Sequence, residues 1–135
     1  MTPYLGAIKT LEFALKDLDI KFIREFQFDL NRKWRADFFI NPNLLIEVEG
    51  GIWSFGRHTR GQGFLNDLEK YNRSVELGFC LLRYCTQDVL ELKCLPQIRR
   101  VLENLTLQTA VEPLAKTASP KAKPLIPLAK GRNIL

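Results

Sequence analysis

Leu5, Ile8, Leu11, Leu15 and Leu18 recur at three- and four-residue steps behind Thr2-Pro3, a cap residue followed by a first-turn proline, and predict a helix over 3–18. Three strand-like runs follow. They cover 21–30, rich in phenylalanine, then 34–40 and 44–49, and the turns Asn31-Arg32-Lys33 and Asn41-Pro42-Asn43 fit a meander of antiparallel hairpins. Gly50, Gly51, Gly56, Gly61 and Gly63 are too dense for a regular element, so 50–63 reads as a loop. A second helix is expected over 64–77, with Leu65, Leu68, Tyr71, Asn72 and Val75 on its inward face and Gly78 as its stop. The run 79–84 reads as a short buried strand, and Thr86 as the cap of a helical region broken by Pro96 and resumed through Ile98, Val101, Leu102 and Leu105. The expected fold is α/β, a four-stranded mixed sheet flanked by helices in the order α-β-β-β-α-β-α.

From Gln108 the periodicity fades into Pro113, Pro120, Pro124 and Pro127 among small residues and lysines. We therefore expect one domain over 1–107 and a flexible tail over 108–135. Composition agrees with one soluble domain, since 46% of the residues are apolar and 26% charged. No apolar run reaches the roughly 18 residues that cross a bilayer, and no basic-then-apolar leader opens the chain, which argues for a cytoplasmic location. Cys80, Cys85 and Cys94 are odd in number and lack the spacing of a zinc site, so they read as reduced packing residues. The net charge is +5, but Lys121, Lys123, Lys130 and Arg132 in the tail account for most of it. A modest basic excess suits a polyanionic partner without requiring one.

Chemistry enters with the acids. Period-two alternation sets Arg35, Asp37 and Phe39 on one face of the second strand against Trp34, Ala36, Phe38 and Ile40 on the other. In the third strand Leu45, Glu47 and Glu49 share a face. A three-residue turn over Asn41 to Asn43 pairs Ile40 with Leu44, and counting outward sets Asp37 opposite Glu47. Opposed side chains lie roughly 4.5–5.5 Å apart at Cβ, so these charges repel unless something positive lies between them. A divalent cation with hard oxygen ligands, Mg²⁺ or Mn²⁺, fits that need. A merely solvated sheet face is the bland alternative, and the convergence of three acids beside a glycine-rich loop weighs against it.

The run WRADFFINPNLLIEVEGGIW, behind a helix holding Glu12, resembles the core of the PD-(D/E)XK nucleases, whose signature is an acid on one strand and acid-x-lysine on the next. More narrowly, EVEGG…GRH…NDLEKYN…LGFCLLRY resembles the branch related to the very-short-patch repair endonuclease. The likeness covers residues 3–106. It implies a Mg²⁺- or Mn²⁺-dependent endonuclease acting on DNA in repair, recombination or phage DNA processing. The alternative is a catalytically inactive nucleic-acid-binding module on the same fold.

Carried over by position, Asp37 and Glu47 resemble the metal-binding acids, with the Val48 carbonyl and Glu12 as further oxygens, while Glu49 stands where the signature lysine belongs. His58, the one histidine, resembles the loop histidine of that branch and is a candidate proton acceptor. Lys70 matches a basic position of the second helix, yet its helical angle, opposite Leu68 and Val75, predicts exposure. Arg35, Arg57, Arg60 and Arg83 are candidate phosphate contacts, Arg83 by strand parity either semi-buried or facing the site. Trp53, interleaved with these arginines alongside Phe55, is a candidate for stacking on bases. Oligomeric state, monomer or homodimer, is left open by the sequence.

Overall fold

A computed structural model describes the backbone of residues 2–50 and 57–118, and the side chains of 2–50 and 61–108. Eight elements follow one another: α1 (Pro3–Asp17), β1 (Ile23–Gln27), β2 (Arg35–Ile40), β3 (Leu44–Glu49), α2 (Arg57–Glu76), β4 (Cys80–Cys85), α3 (Thr86–Leu90) and α4 (Leu95–Ala118). The four strands form one sheet in sequence order. The first three run antiparallel as hairpins, and the α2 crossover returns β4 parallel to β3. This is the α-β-β-β-α-β-α mixed sheet that the patterning predicts, the last helical region being α3 and α4.

Thr2 caps α1, its Oγ1 accepting from the Leu5 amide at 3.2 Å, with Pro3 in the first turn. The buried stripe is Ala7, Ile8, Leu11, Ala14 and Leu15, while Leu5 and Leu18 stay largely exposed. It packs with α3 and α4 on one sheet face, against Phe38, Ile40, Leu44, Ile46 and Val48. The other face holds a smaller aromatic cluster of Phe26, Phe28, Trp34, Phe39 and Phe79 around Ala36 and Leu45. Covered on both faces, Leu44, Leu45 and Ile46 have no exposed surface at all, as expected for a central strand.

Four expectations need correction. Strict alternation in β2 fails, because Ala36 joins the cluster of Phe39 although its parity is that of Phe38. The pairing of β1 with β2 skips Asp37, and Glu25, which the register sets across from it, has a left-handed φ of 53°. Helix α2 begins at Arg57, so Gly61 and Gly63 are helical rather than in a loop. Its inward face also differs except at Tyr71, which turns inward as expected: Leu65 and Val75 are 60% and 65% exposed, whereas Ser74 is 1% exposed and Lys70 turns inward. Cys85 rather than Thr86 occupies the cap position of α3, and the Thr86 hydroxyl donates instead to the Glu49 carbonyl at 3.0 Å.

The expected boundary after residue 107 falls within α4, whose backbone continues to Ala118; residues 119–135 lie outside the described residues. The three cysteines are free thiols, Cys94 buried. Among the described residues no helix is long and apolar enough to cross a membrane.

The packing makes a paired prediction. Leu11→Ala, at a site with no exposed surface, should lower the unfolding free energy by about 2–5 kcal/mol in urea titrations. Leu65→Ala should change it by no more than about 0.5 kcal/mol. A comparable loss in both variants would mean that α2 packs on its apolar face after all.

Candidate active site

Backbone pairing of β2 with β3 runs Ile40 to Leu44, Phe39 to Leu45 and Phe38 to Ile46, the register inferred from the three-residue turn. At the next position two side chains take over the ladder's hydrogen bonds. The Val48 amide donates to Asp37 Oδ2 at 2.7 Å, and the Asp37 amide donates to Glu47 Oε1 at 3.2 Å. Each carboxylate thus accepts an amide of the facing strand, and both are nearly buried, at 8% and 7% exposed. A buried amide needs an acceptor, so these acids close the sheet as well as line its end.

The second oxygen of each carboxylate is held from a different helix. Tyr4, in the first turn of α1, donates its hydroxyl to Asp37 Oδ1 at 2.5 Å. Gly50 permits that approach, since a Cβ there would lie 3.3 Å from the Tyr4 side chain. From α2, the Lys70 ammonium pairs with Glu47 Oε2, which corrects its expected exposure. Burial pushes the Glu47 carboxyl up to about 7, the nearby Lys70 opposing the shift and the Asp37 charge adding to it. Burial, and then the hydrogen bond to Asp37, likewise raises the Tyr4 phenol, which keeps it a donor.

Glu49 lies further along β3 and is more open. Its Oε2 accepts from Arg83 Nε at 2.9 Å and from the Tyr71 hydroxyl at 3.2 Å. The Arg83 guanidinium lies 3.9 Å over the Tyr71 ring. Behind the site, Arg24 Nε donates to the Asp37 carbonyl at 2.8 Å, and the same guanidinium meets Glu12 at 3.4 Å. Glu12 therefore joins through Arg24 instead of meeting the other acids.

The structure brings together Asp37, Glu47, Glu49, Lys70 and Arg83 at one end of the sheet, with Val48 between the two acids of β3. Arg35 is exposed at the start of β2. Arg57, His58 and Arg60 lie in the first turn of α2, not in a loop, and their side chains are outside the described residues, as is Trp53. Tyr4, Arg24 and Tyr71 were not among the candidates. For Tyr4 the signal was a polar-tipped aromatic one turn ahead of the buried stripe of α1. The positive groups among the acids are Lys70 and Arg83, so the expected mutual repulsion is already offset. Among the described residues no three of His, Cys, Asp and Glu converge to hold a metal ion. The neighbouring pair Asp37 and Glu47, with a backbone oxygen, still fits Mg²⁺, which commonly takes one or two carboxylates and fills its shell with water and phosphate.

No family model matches the chain, and neither does any curated protein. Among solved structures it is similar to the catalytic domain of the homing endonuclease I-Bth0305I, with a TM-score of 0.53 at 16% identity over 70% of this chain and 89% of that one. At that identity the likeness is one of fold alone, a mixed α/β domain.

The raised Glu47 carboxyl ties stability to pH. Its folded value, about 7, exceeds the ordinary 4.5, so folding takes up a proton between them. Its contribution is therefore fullest below about pH 4.5 and declines as pH rises through about 7. In EDTA, Glu47→Gln should flatten the fall in urea midpoint between pH 5 and pH 8. Parallel wild-type and variant profiles would show that Glu47 titrates as it does in the unfolded chain.

Proposed function

We propose that this protein is a metal-dependent endonuclease that hydrolyses DNA phosphodiester bonds, with Asp37, Glu47 and Lys70 at its centre. The observation that carries the reading is the ion pair from Lys70 to Glu47, beside Asp37 in the ladder. The strand lacks the lysine of the PD-(D/E)XK signature, and α2 supplies an ammonium to the same acid. A fold shared with a homing endonuclease catalytic domain supports the same class.

Asp37, Glu47 and the Val48 carbonyl would hold Mg²⁺ or Mn²⁺, which when bound would offset the negative charge developing on the phosphate and make a water more acidic. Glu12, through Arg24, steadies the Asp37 backbone from behind. The Lys70 ammonium, fixed by Glu47, orients the attacking water and offsets phosphate charge, a role Glu49 cannot fill. Glu49 instead aims Arg83 at the strand, with Arg35, Arg57 and Arg60 as further backbone contacts and Trp53 as a stacking group. His58 accepts the water's proton. Substrates from repair, recombination or phage DNA processing suit this chemistry, and a cytoplasmic location and a domain ending near residue 107 with a basic tail complete the reading.

One observation favours a second reading. Asp37 and Glu47 already have a protein donor on every carboxylate oxygen, so the site is self-satisfied, as in a catalytically inactive nucleic-acid-binding module. Purified protein incubated with Mg²⁺ or Mn²⁺ and linear, nicked, mismatched and branched DNAs separates the two by the appearance of cut product.

In single-turnover assays Lys70→Met should slow cleavage by about 10²–10³-fold, the usual loss of one charge-stabilising donor. Asp37→Asn should abolish cleavage while fluorescence anisotropy still reports DNA binding. Wild-type cutting rates in the Lys70 variant would remove the lysine from the mechanism.

The acid limb of the pH profile tests a separate assignment. Glu47 must be ionised to pair with Lys70 and to hold a cation, and burial raises its carboxyl, so the rate should rise with pH from the acid side. His58→Ala should lower the plateau by about 10²–10⁴-fold and keep the midpoint of that rise. A limb that disappears with the imidazole would assign it to His58 instead.

A further inference from the structure

The turn joining β1 to β2 is tied down on every side, yet its tip is apolar and bare. Asp29 is buried at 3% exposed, its Oδ2 accepting from Arg73 of α2 at 2.9 Å and its Oδ1 from the Asn31 amide at 2.9 Å. Gln27 Nε2 spans the turn, donating to the Asp29 and Arg32 carbonyls at 3.1 and 2.7 Å. Arg32 stacks 3.7 Å over the Trp34 ring and pairs with Glu69 of α2 at 3.0 Å. Between these anchors Leu30 is 99% exposed. A loose loop could fold such a side chain back, but this turn holds it outward.

The surroundings identify the partner. Lys33 and Arg35 follow the tip, both exposed, and among the described residues neither has a carboxylate within ion-pairing distance. The one acid of the turn, Asp29, is already paired with Arg73, and Glu69 of α2 with Arg32. The turn leads into β2 at the end of the sheet where Asp37 lies and where β3 closes at Glu49. An apolar tip followed by two unpaired cations, on the strand that carries Asp37, matches DNA, in which an inserted apolar side chain unstacks and kinks a base step. A protein partner would have less use for those charges.

We infer that Leu30 is a wedge that enters the base stack of duplex DNA beside the scissile phosphate, with Lys33 and Arg35 on the adjoining backbone. The substrate is then a duplex bent at an easily unstacked step, such as pyrimidine–purine or a mismatch. This rests on the nuclease reading for its substrate.

The test uses the full chain in EDTA with duplexes carrying 2-aminopurine at successive positions, followed by fluorescence for unstacking and by anisotropy for binding. Wild type and Leu30→Phe should raise the emission of one or two adjacent positions; Leu30→Ser should bind and melt normally without that rise. An equal rise with Leu30→Ser would overturn the wedge, and so would binding with no rise in the wild type. A shift from dimer to monomer in Leu30→Ser alone, read by sedimentation without DNA, would overturn it in favour of a contact between copies. Cleavage by wild type with Mn²⁺ is scored separately: cutting without unstacking rejects the wedge and keeps the nuclease, while unstacking without cutting does the reverse.

Discussion

Two backbone amides at the end of the β2–β3 hairpin determine much of this molecule. With pairing ending at Phe38 and Ile46, the amides of Asp37 and Val48 need acceptors, and the carboxylates of Glu47 and Asp37 supply them. A charged acceptor makes a shorter and stronger hydrogen bond than a neutral one. It also commits two acids to a place that water scarcely reaches. Everything around the hairpin end answers that commitment: Tyr4 from one helix, Lys70 from another, and Arg24 behind the strand. Architecture and the proposed chemistry are therefore carried by the same atoms, so a change at either acid acts on both.

Helix α2 shows the consequence in its packing. An amphipathic helix ordinarily turns its apolar stripe to the core, yet this one leaves Phe64, Leu65, Leu68 and Val75 largely exposed and faces the protein with Lys70, Tyr71, Arg73 and Ser74. Its contacts are ion pairs and hydrogen bonds to Glu47, Glu49 and Asp29. Removing one partner of a buried pair typically costs about 3–5 kcal/mol because the other charge is stranded. The interaction is thus stringent about position without adding much net stability. That is a sound way to hold a site and a weak way to build a core, which rests instead on α1, α3 and α4.

What the sequence made legible follows from the range of the interactions involved. The turn at Asn41 to Asn43 is local, so counting from it yields the register and brings Asp37 to Glu47. The capped helix α1 and the apolar run of β3 are likewise set by their own residues. Lys70 was misjudged because helical periodicity assumes that apolar residues point inward, and in α2 the buried acids of another element reverse that preference. The break in β2 alternation was hidden for a related reason: it depends on a left-handed Glu25 across the sheet, at a residue type with no special liking for that region. Tyr4 and Arg24 join the site through tertiary contacts that no spacing along the chain announces.

The ordering of groups along α2 adds a last step. Glu69, Lys70 and Arg73 reach Arg32 of the β1–β2 turn, Glu47 of the acidic pair, and Asp29 of the same turn. Within little more than one helical turn, the helix grips both the turn proposed to meet DNA and a carboxylate of the proposed centre. A rigid helix cannot shift by one of these attachments alone, so a displacement of the turn is felt at the Lys70 ammonium. Burial raises the Glu47 carboxyl and the Lys70 ammonium opposes that rise, so the placing of the ammonium bears on how readily the carboxylate ionises. The proposed apolar tip and acidic centre are therefore held by one stretch of α2, and the position of each depends on the other.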